Sequence, residues 1–253
     1  MTEHTGAADR DRTLELLWRS VLGDPQGKRG PRQKVTVDQV VEAAIALADE
    51  DGVDALSIRK VAERLGIGAM SLYTYVASKS QLVDLMIDSA VGSIPRPALS
   101  DDWRASLRSI AEHEYVHYLR HPWVLQVDTS RPPLGPGISY RYEYQLSAIE
   151  GIGLTDLEMD SVVTLVAGFA AGAARSAVDS VRGRETSGQS DTEWWEANLP
   201  VLTRVMDGLS FPLSGRVGQA AGEFDQAPSN PARAFEFGLE RVLDGVGVLV
   251  GRR

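Results

Sequence analysis

Residues 58–76 read IRKVAERLGIGAMSLYTYV, and no other stretch of the chain restricts its fold as tightly. Ile58, Val61, Ala62 and Leu65 recur at helical spacing and form one apolar face. Gly66-Ile67-Gly68 makes a tight turn, and Ala69 to Val76 read as a second short helix anchored by Leu72 and Val76. Two short helices across a glycine turn, with the small Ala62 at the crossing point, fit a helix-turn-helix. Such a pair points the first residues of its second helix into a major groove. The pattern also arises by chance, so its surroundings have to support it.

Those surroundings read as helix throughout, and strand patterns are nearly absent. Thr36-Val-Asp-Gln39, Ser78-Lys-Ser-Gln81, Thr155-Asp-Leu-Glu158 and Ser190-Asp-Thr-Glu193 fit the capping box. Gly52 and Gly66 sit where helix C-termini need a left-handed residue. Asn230-Pro231 places a cap before a proline in the first turn. The expected helices are 11–22, 37–51, 58–65, 69–76, 79–93, 101–120, 138–151, 155–181, 191–207 and 231–250. Residues 130–137 and 182–190 read as loops, and 208–229 as irregular. The expected class is all-α. Residues 1–34 form an N-terminal extension with a basic linker at 24–34. A helix-turn-helix domain spans 35–94, and a larger helical domain spans 98–253.

Composition removes several functions. The 253 residues include no Cys, which excludes thiolate nucleophiles, cysteine zinc sites and disulfides. No GxSxG, P-loop, HExxH or GxGxxG occurs in a suitable setting. Met1 to Arg12 is polar and mixed in charge, unlike a secretory signal. The longest uncharged apolar run lies between Asp160 and Arg175, and its 14 residues are fewer than the ~20 of a spanning helix. A soluble cytoplasmic protein without cofactor or membrane attachment is expected. The net charge is −9, which alone argues against nucleic acid. Residues 28–80 nevertheless hold eight basic against seven acidic side chains, and all four lysines of the chain. An acidic body carrying one locally basic module suits a DNA-binding domain with a separate sensor domain; uneven surface charge gives the same count.

The run TVDQVVEAAIALADEDGVDALSIRKVAERLGIGAMSLYTYVASKSQLVDLMID, residues 36–88, closely resembles the DNA-binding domain of TetR-family transcriptional regulators. Its most specific block is Ser71-Leu72-Tyr73-Thr74-Tyr75-Val76 followed by Ser78-Lys79. His121-Pro122-Trp123, residues 131–135 and residues 235–244 resemble the tetracycline-repressor-type C-terminal domain. The resemblance implies that Arg59 reaches a base edge, that Tyr73 and Tyr75 donate to phosphate, and that Ser71 meets phosphate or base. It also implies that Lys79 anchors phosphate at a helix N-terminus, that Met70 meets a thymine methyl, and that Ala69 and Thr36 lie on the DNA side. Gly68 and Ala69 depart from the family pattern, where longer polar side chains often sit. Lys28, Arg29, Arg32 and Lys34 form either a minor-groove arm or a solubilising linker.

In the larger domain, Phe235, Leu239, Val242, Val246 and Leu249 are spaced as a packing seam, as are Val162, Val166, Phe169 and Ala173. The resemblance implies that these two helices pair across a two-fold axis, giving a homodimer on a near-palindromic operator; a seam facing its own core is the alternative. It also implies a pocket for an apolar or aromatic effector, drawn from His113, His117, Trp123, Tyr140, Tyr144, Gln145, Phe169 and Trp194. His113, His117 and His121 recur every four residues, a spacing that can hold a metal. No carboxylate-rich motif accompanies them, so no metal is expected. The function expected is a regulator, most simply a repressor released from double-stranded DNA by a small molecule. An all-helical enzyme is the alternative, with the histidines as its one cluster.

Overall fold

Side-chain caps fix where most helices of the computed structural model begin; it describes residues 7–22, 35–225 and 229–251. Among the described residues the chain is all-α, with twelve α-helices and no strand. Near the N-terminus lie α1 (Ala7–Leu17) and α2 (Arg19–Leu22). The helix-turn-helix module follows with α3 (Val37–Asp51), α4 (Ile58–Arg64), α5 (Ala69–Leu72) and α6 (Lys79–Gly92). Thr36 accepts the Gln39 N–H while Gln39 reaches back to the Thr36 N–H, and Ser57 and Ser78 cap α4 and α6 in the simpler way. Gly52 and Gly66 hold φ of +82° and +66°, which other residues adopt at a cost.

The body consists of α7 (Trp103–Arg120), α8 (Pro136–Ser147), α9 (Asp156–Ser187), α10 (Asp191–Val205), α11 (Pro212–Asp225) and α12 (Pro231–Val250). The helix α11 lies in the stretch read from sequence as irregular, where Gly215, Gly218 and Gly222 weaken the helical signal. By length and composition alone α9 could cross a bilayer. Its Val162, Val166, Ala170 and Ala174 are instead buried, and it packs on α7 and α12. Arg104 joins α7 to α12 through Glu240 and Asp244, both at 2.7 Å, and Arg108 also pairs with Glu240.

Two apolar cores result. One gathers α3 to α6; the other gathers α7, α9 and α12. The first also takes in Leu16 and Leu17 from α1, and Trp123 and Val124 from the short 3-10 turn after α7. The seam expected to join two subunits is largely spent inside one chain. Val162, Val166, Phe235, Leu239 and Val246 are all buried in the second core, because α9 and α12 turn these faces to each other and to α7. Phe169, Ala173 and Val242 are only partly buried there. The helices α10 and α11 stand apart. Trp194, Trp195, Leu199, Phe211 and Phe224 on or beside them are exposed, and a cleft of about 840 Å³ runs between the two helices.

The modules meet where the N-terminus of α8 sits on α6. The Asp88 carboxylate is buried and accepts the Ile138 N–H at 3.0 Å, acting as a cap supplied by another helix. Burial pushes the Asp88 carboxyl up, while the Ile138 and Gly137 N–H groups and the nearby Arg19 pull it back. A Cβ at Gly137 would stand 2.0 Å from the Asp88 carbonyl oxygen, and one at Gly135 would stand 2.3 Å from its carboxylate. Gly137→Ala should therefore force α8 off α6 and destabilise the chain by about 3 kcal/mol. Thermal melting should register this as a drop of about 6–12 °C, and an unchanged midpoint would show that the two helices do not meet so closely.

Candidate nucleic-acid interface and a buried polar centre

Sequence makes α5 short. After Ala69-Met-Ser-Leu72 come Tyr-Thr-Tyr-Val, which are poor helix formers, and the chain closes in turns instead. Tyr75 and Val76 both donate their N–H to the Leu72 carbonyl, at 2.9 and 3.1 Å. Leu72, Tyr75 and Val76 therefore share the inward side. The Tyr75 ring is packed in the core, with the residue 6% exposed.

The outward side carries Met70, Ser71, Tyr73 and Thr74. Met70 is 80% exposed, an unusual place for a thioether side chain. Ala69 is half-buried against the core. On α4 the Arg59 side chain is 81% exposed, with Glu63 at 3.4 Å as a loose neighbour. Other cations are more firmly held: Lys60 by Asp51 at 3.0 Å and Arg64 by Glu50. Glu50 holds the Arg64 guanidinium above, and Arg64 holds the Glu50 carboxyl below, their ordinary ranges. Lys79 is exposed and donates to the Val53 carbonyl at 3.3 Å. Thr36 is exposed, its hydroxyl engaged as a cap. Lys28, Arg29, Arg32 and Lys34 lie outside the described residues.

The aromatic and histidine set expected to line one pocket is dispersed. Trp123 is 1% exposed and belongs to the helix-turn-helix core, with its Nε1–H donating to Asp49 Oδ1 at 2.8 Å. Tyr140 is 55% exposed beneath the Arg96 guanidinium. Trp194 is exposed beside a smaller cleft at the end of α9. Tyr144 is half-buried and donates to the Pro97 carbonyl at 2.9 Å. The histidine ladder divides as well. His113 faces the Ser109 carbonyl, and His121 pairs with Asp49 at 2.8 Å. Among the described residues no three His, Asp or Glu side chains gather as metal ligands would.

What does come together lies between α7 and α8. Arg141 donates through Nε and an Nη to Glu114 Oε1, at 3.0 and 2.7 Å, and Gln145 donates to the same oxygen at 2.5 Å. Glu114, Arg141, Gln145 and His117 are all buried. Glu114 Oε2 and His117 Nε2 find no partner among the described residues. Burial pushes the Glu114 carboxyl up against the opposing pull of Arg141 and Gln145. Burial, with His121, Arg141 and Arg120 nearby, pushes His117 down to about 3. In the second apolar core Phe169 stacks on Phe235, and Phe235 on Tyr115. Glu114 and Arg141 escaped the sequence reading. Their one signal was a carboxylate three residues before His117 and an arginine inside a tyrosine-rich helix.

The neutral His117 carries a sign. The unfolded chain gains a proton below the ordinary imidazole range and the folded chain refuses it, so stability is complete above pH 6.5 and declines as pH falls toward 3. Between pH 6.5 and 5 the loss is about 2 kcal/mol. His117→Phe should lack this part of the pH dependence. Melts of both proteins at pH 7 and pH 5 test it, and equal declines would refute it.

Comparison with known proteins agrees with this architecture. Residues 40–86 match the family model for bacterial regulatory proteins of the tetR family, and residues 96–250 match the tetracycline repressor-like C-terminal domain. The HTH-type transcriptional repressor DrrR1 of Streptomyces coeruleorubidus is 41% identical over 256 residues, covering all of this chain and 91% of the relative. The class A tetracycline repressor from transposon 1721 of Escherichia coli is 27% identical, covering 84% of this chain and 91% of the relative. Apo ActR from Streptomyces coelicolor shares the fold at a TM-score of 0.68 and 24% identity, covering 87% of this chain and 99% of that one. With both its halves matched in order, the chain belongs to the TetR family of helix-turn-helix transcriptional regulators and is not an enzyme.

Proposed function

We propose that the chain is a homodimeric repressor that holds double-stranded operator DNA and releases it when an apolar or aromatic small molecule binds the body. Residues 35–94 serve as the reader and 98–253 as the sensor and dimerisation domain, acting in the cytoplasm without membrane attachment. The observation that carries this reading is the exposed face made by Arg59, Met70, Ser71 and Tyr73, with Lys79 at the rim. Neighbouring cations are tied in salt bridges, whereas Arg59 is held only loosely and is free to pair with guanine. Tyr73 and Lys79 suit phosphate, Met70 a thymine methyl, and Ala69 permits close approach. Thr36 sits at an exposed helix N-terminus, where its N–H groups suit phosphate.

Dimerisation then falls to the outer faces of α9 and α12. Leu165, Phe237 and Val248 are exposed there, beside Gly168, Gly172 and Gly245, where added side chains would meet open space. The effector reading draws support from neighbours of the same fold: ActR was solved in complex with actinorhodin, and a TetR protein of Acinetobacter baumannii in complex with minocycline. The polar centre at Glu114, His117, Arg141 and Gln145 would orient such a ligand, with Phe169, His113 and Tyr144 alongside.

Selection of binding sites from a randomised DNA library by the full chain tests the function. A near-palindrome bound in a salt-sensitive manner is expected, and failure to enrich any sequence would sink the proposal. Arg59→Ala should cost about 1–3 kcal/mol in operator affinity and relax the preference at one position per half-site. Uniform weakening across all sequences would assign Arg59 to phosphate instead. Light scattering should give a mass twice that of one chain for the wild type and one chain for Phe237→Arg. A dimer that survives Phe237→Arg would place the interface elsewhere.

A further inference from the structure

Both α1 and α2 lie before residue 40, where the first family-model match begins. They are tied on several sides. Leu16 and Leu17 are both 3% exposed and enter the helix-turn-helix core. An Arg12 Nη donates to the Thr74 carbonyl at 3.3 Å, one residue beyond Tyr73. Gln81 on α6 donates to the Thr13 hydroxyl at 2.9 Å. Arg19 pairs with Asp38 on α3 and donates to the Leu16 carbonyl at 2.7 Å.

One contact leaves this module. The Trp18 Nε1–H donates to the Leu134 carbonyl at 2.8 Å. Leu134 immediately precedes Gly135 to Ile138, the segment through which α8 sits on Asp88 of α6. Through α8 that segment leads to Arg141 and Gln145. The same short element therefore grips the end of the DNA-facing turn at Thr74 and the start of the helix that carries the buried polar centre. A tilt of the helix-turn-helix module on the body has to stretch either Trp18–Leu134 or Arg12–Thr74.

We propose that α1 and α2 form a strap that fixes the angle of the DNA-facing helix on the body, with Trp18 and Arg12 as positioning residues, and that it thereby limits the half-site spacings a dimer accepts. This rests on the operator-binding function proposed above. A fixed angle on each subunit gives one distance between the two probes. One added base pair moves a half-site by about 3.4 Å and turns it by about 34°.

The test uses the full-length wild type, Trp18→Phe, which keeps an apolar ring but lacks the N–H donor, and Arg12→Gln, at an exposed side chain. Each is measured by fluorescence anisotropy on the operator selected by the wild type and on versions with one base pair added to or removed from the spacer. The wild type should lose about tenfold in affinity on the altered spacers, and each variant less than about threefold, with the half-site sequence preference unchanged. Arg12→Gln decides alone if Trp18→Phe melts early. Equal spacer penalties in all three proteins, or a variant weakened evenly on every spacer, would overturn the strap. A wild type that selects no DNA would instead remove the operator-binding function itself.

Discussion

The indole of Trp123 is the piece on which the arrangement of the molecule turns. It belongs by sequence to the body, two residues after His121, which caps the C-terminus of α7, yet it is buried among α3 to α6. Its N–H is satisfied by Asp49 of α3, which also takes His121. A buried indole keeps its position because it combines a large apolar area with one specific hydrogen bond. On the body side, Arg175 of α9 donates to the Leu125 carbonyl at 2.6 Å, two residues further on. Hydrogen bonds at Leu125 and Asp49 thus connect α9 to α3 through the short 3-10 turn that carries Trp123.

The second link runs through α8. One end of this helix is held by Asp88 of α6, and its middle carries Arg141 and Gln145 toward Glu114. Burying an ion pair costs much of what its attraction returns, and a partly satisfied one is strained in energy terms. Here Oε1 of Glu114 takes every donor and Oε2 takes none. A group that offered Oε2 a donor would meet an acceptor already stripped of water. Under the proposed effector role, such a carboxylate would reward a polar ligand more steeply than an exposed one would.

Much of this was legible beforehand, and the failures have physical causes. Caps and left-handed glycines are local, so Thr36, Ser78, Thr155, Ser190, Gly52 and Gly66 marked helix limits correctly. Tyr75 stands three positions after Leu72, a spacing that puts its ring on the core side. Periodicity showed that α9 and α12 each have an apolar stripe, but a stripe does not say whether its cover comes from the same chain. Trp123, Asp49, Glu114 and Arg141 depend on contacts between residues far apart in sequence, which no local pattern reports. The Trp18–Leu134 contact is illegible for the same reason, since the two residues are separated by 116 positions.

The brevity of α5 has one more consequence. A probe of a single turn, begun by glycine and alanine, has few rungs with which to spell a sequence. Under the operator-binding proposal, much of the grip comes from charge and from the bendability of the duplex between half-sites. A regulator built this way tolerates drift in the letters of its target more readily than drift in its geometry.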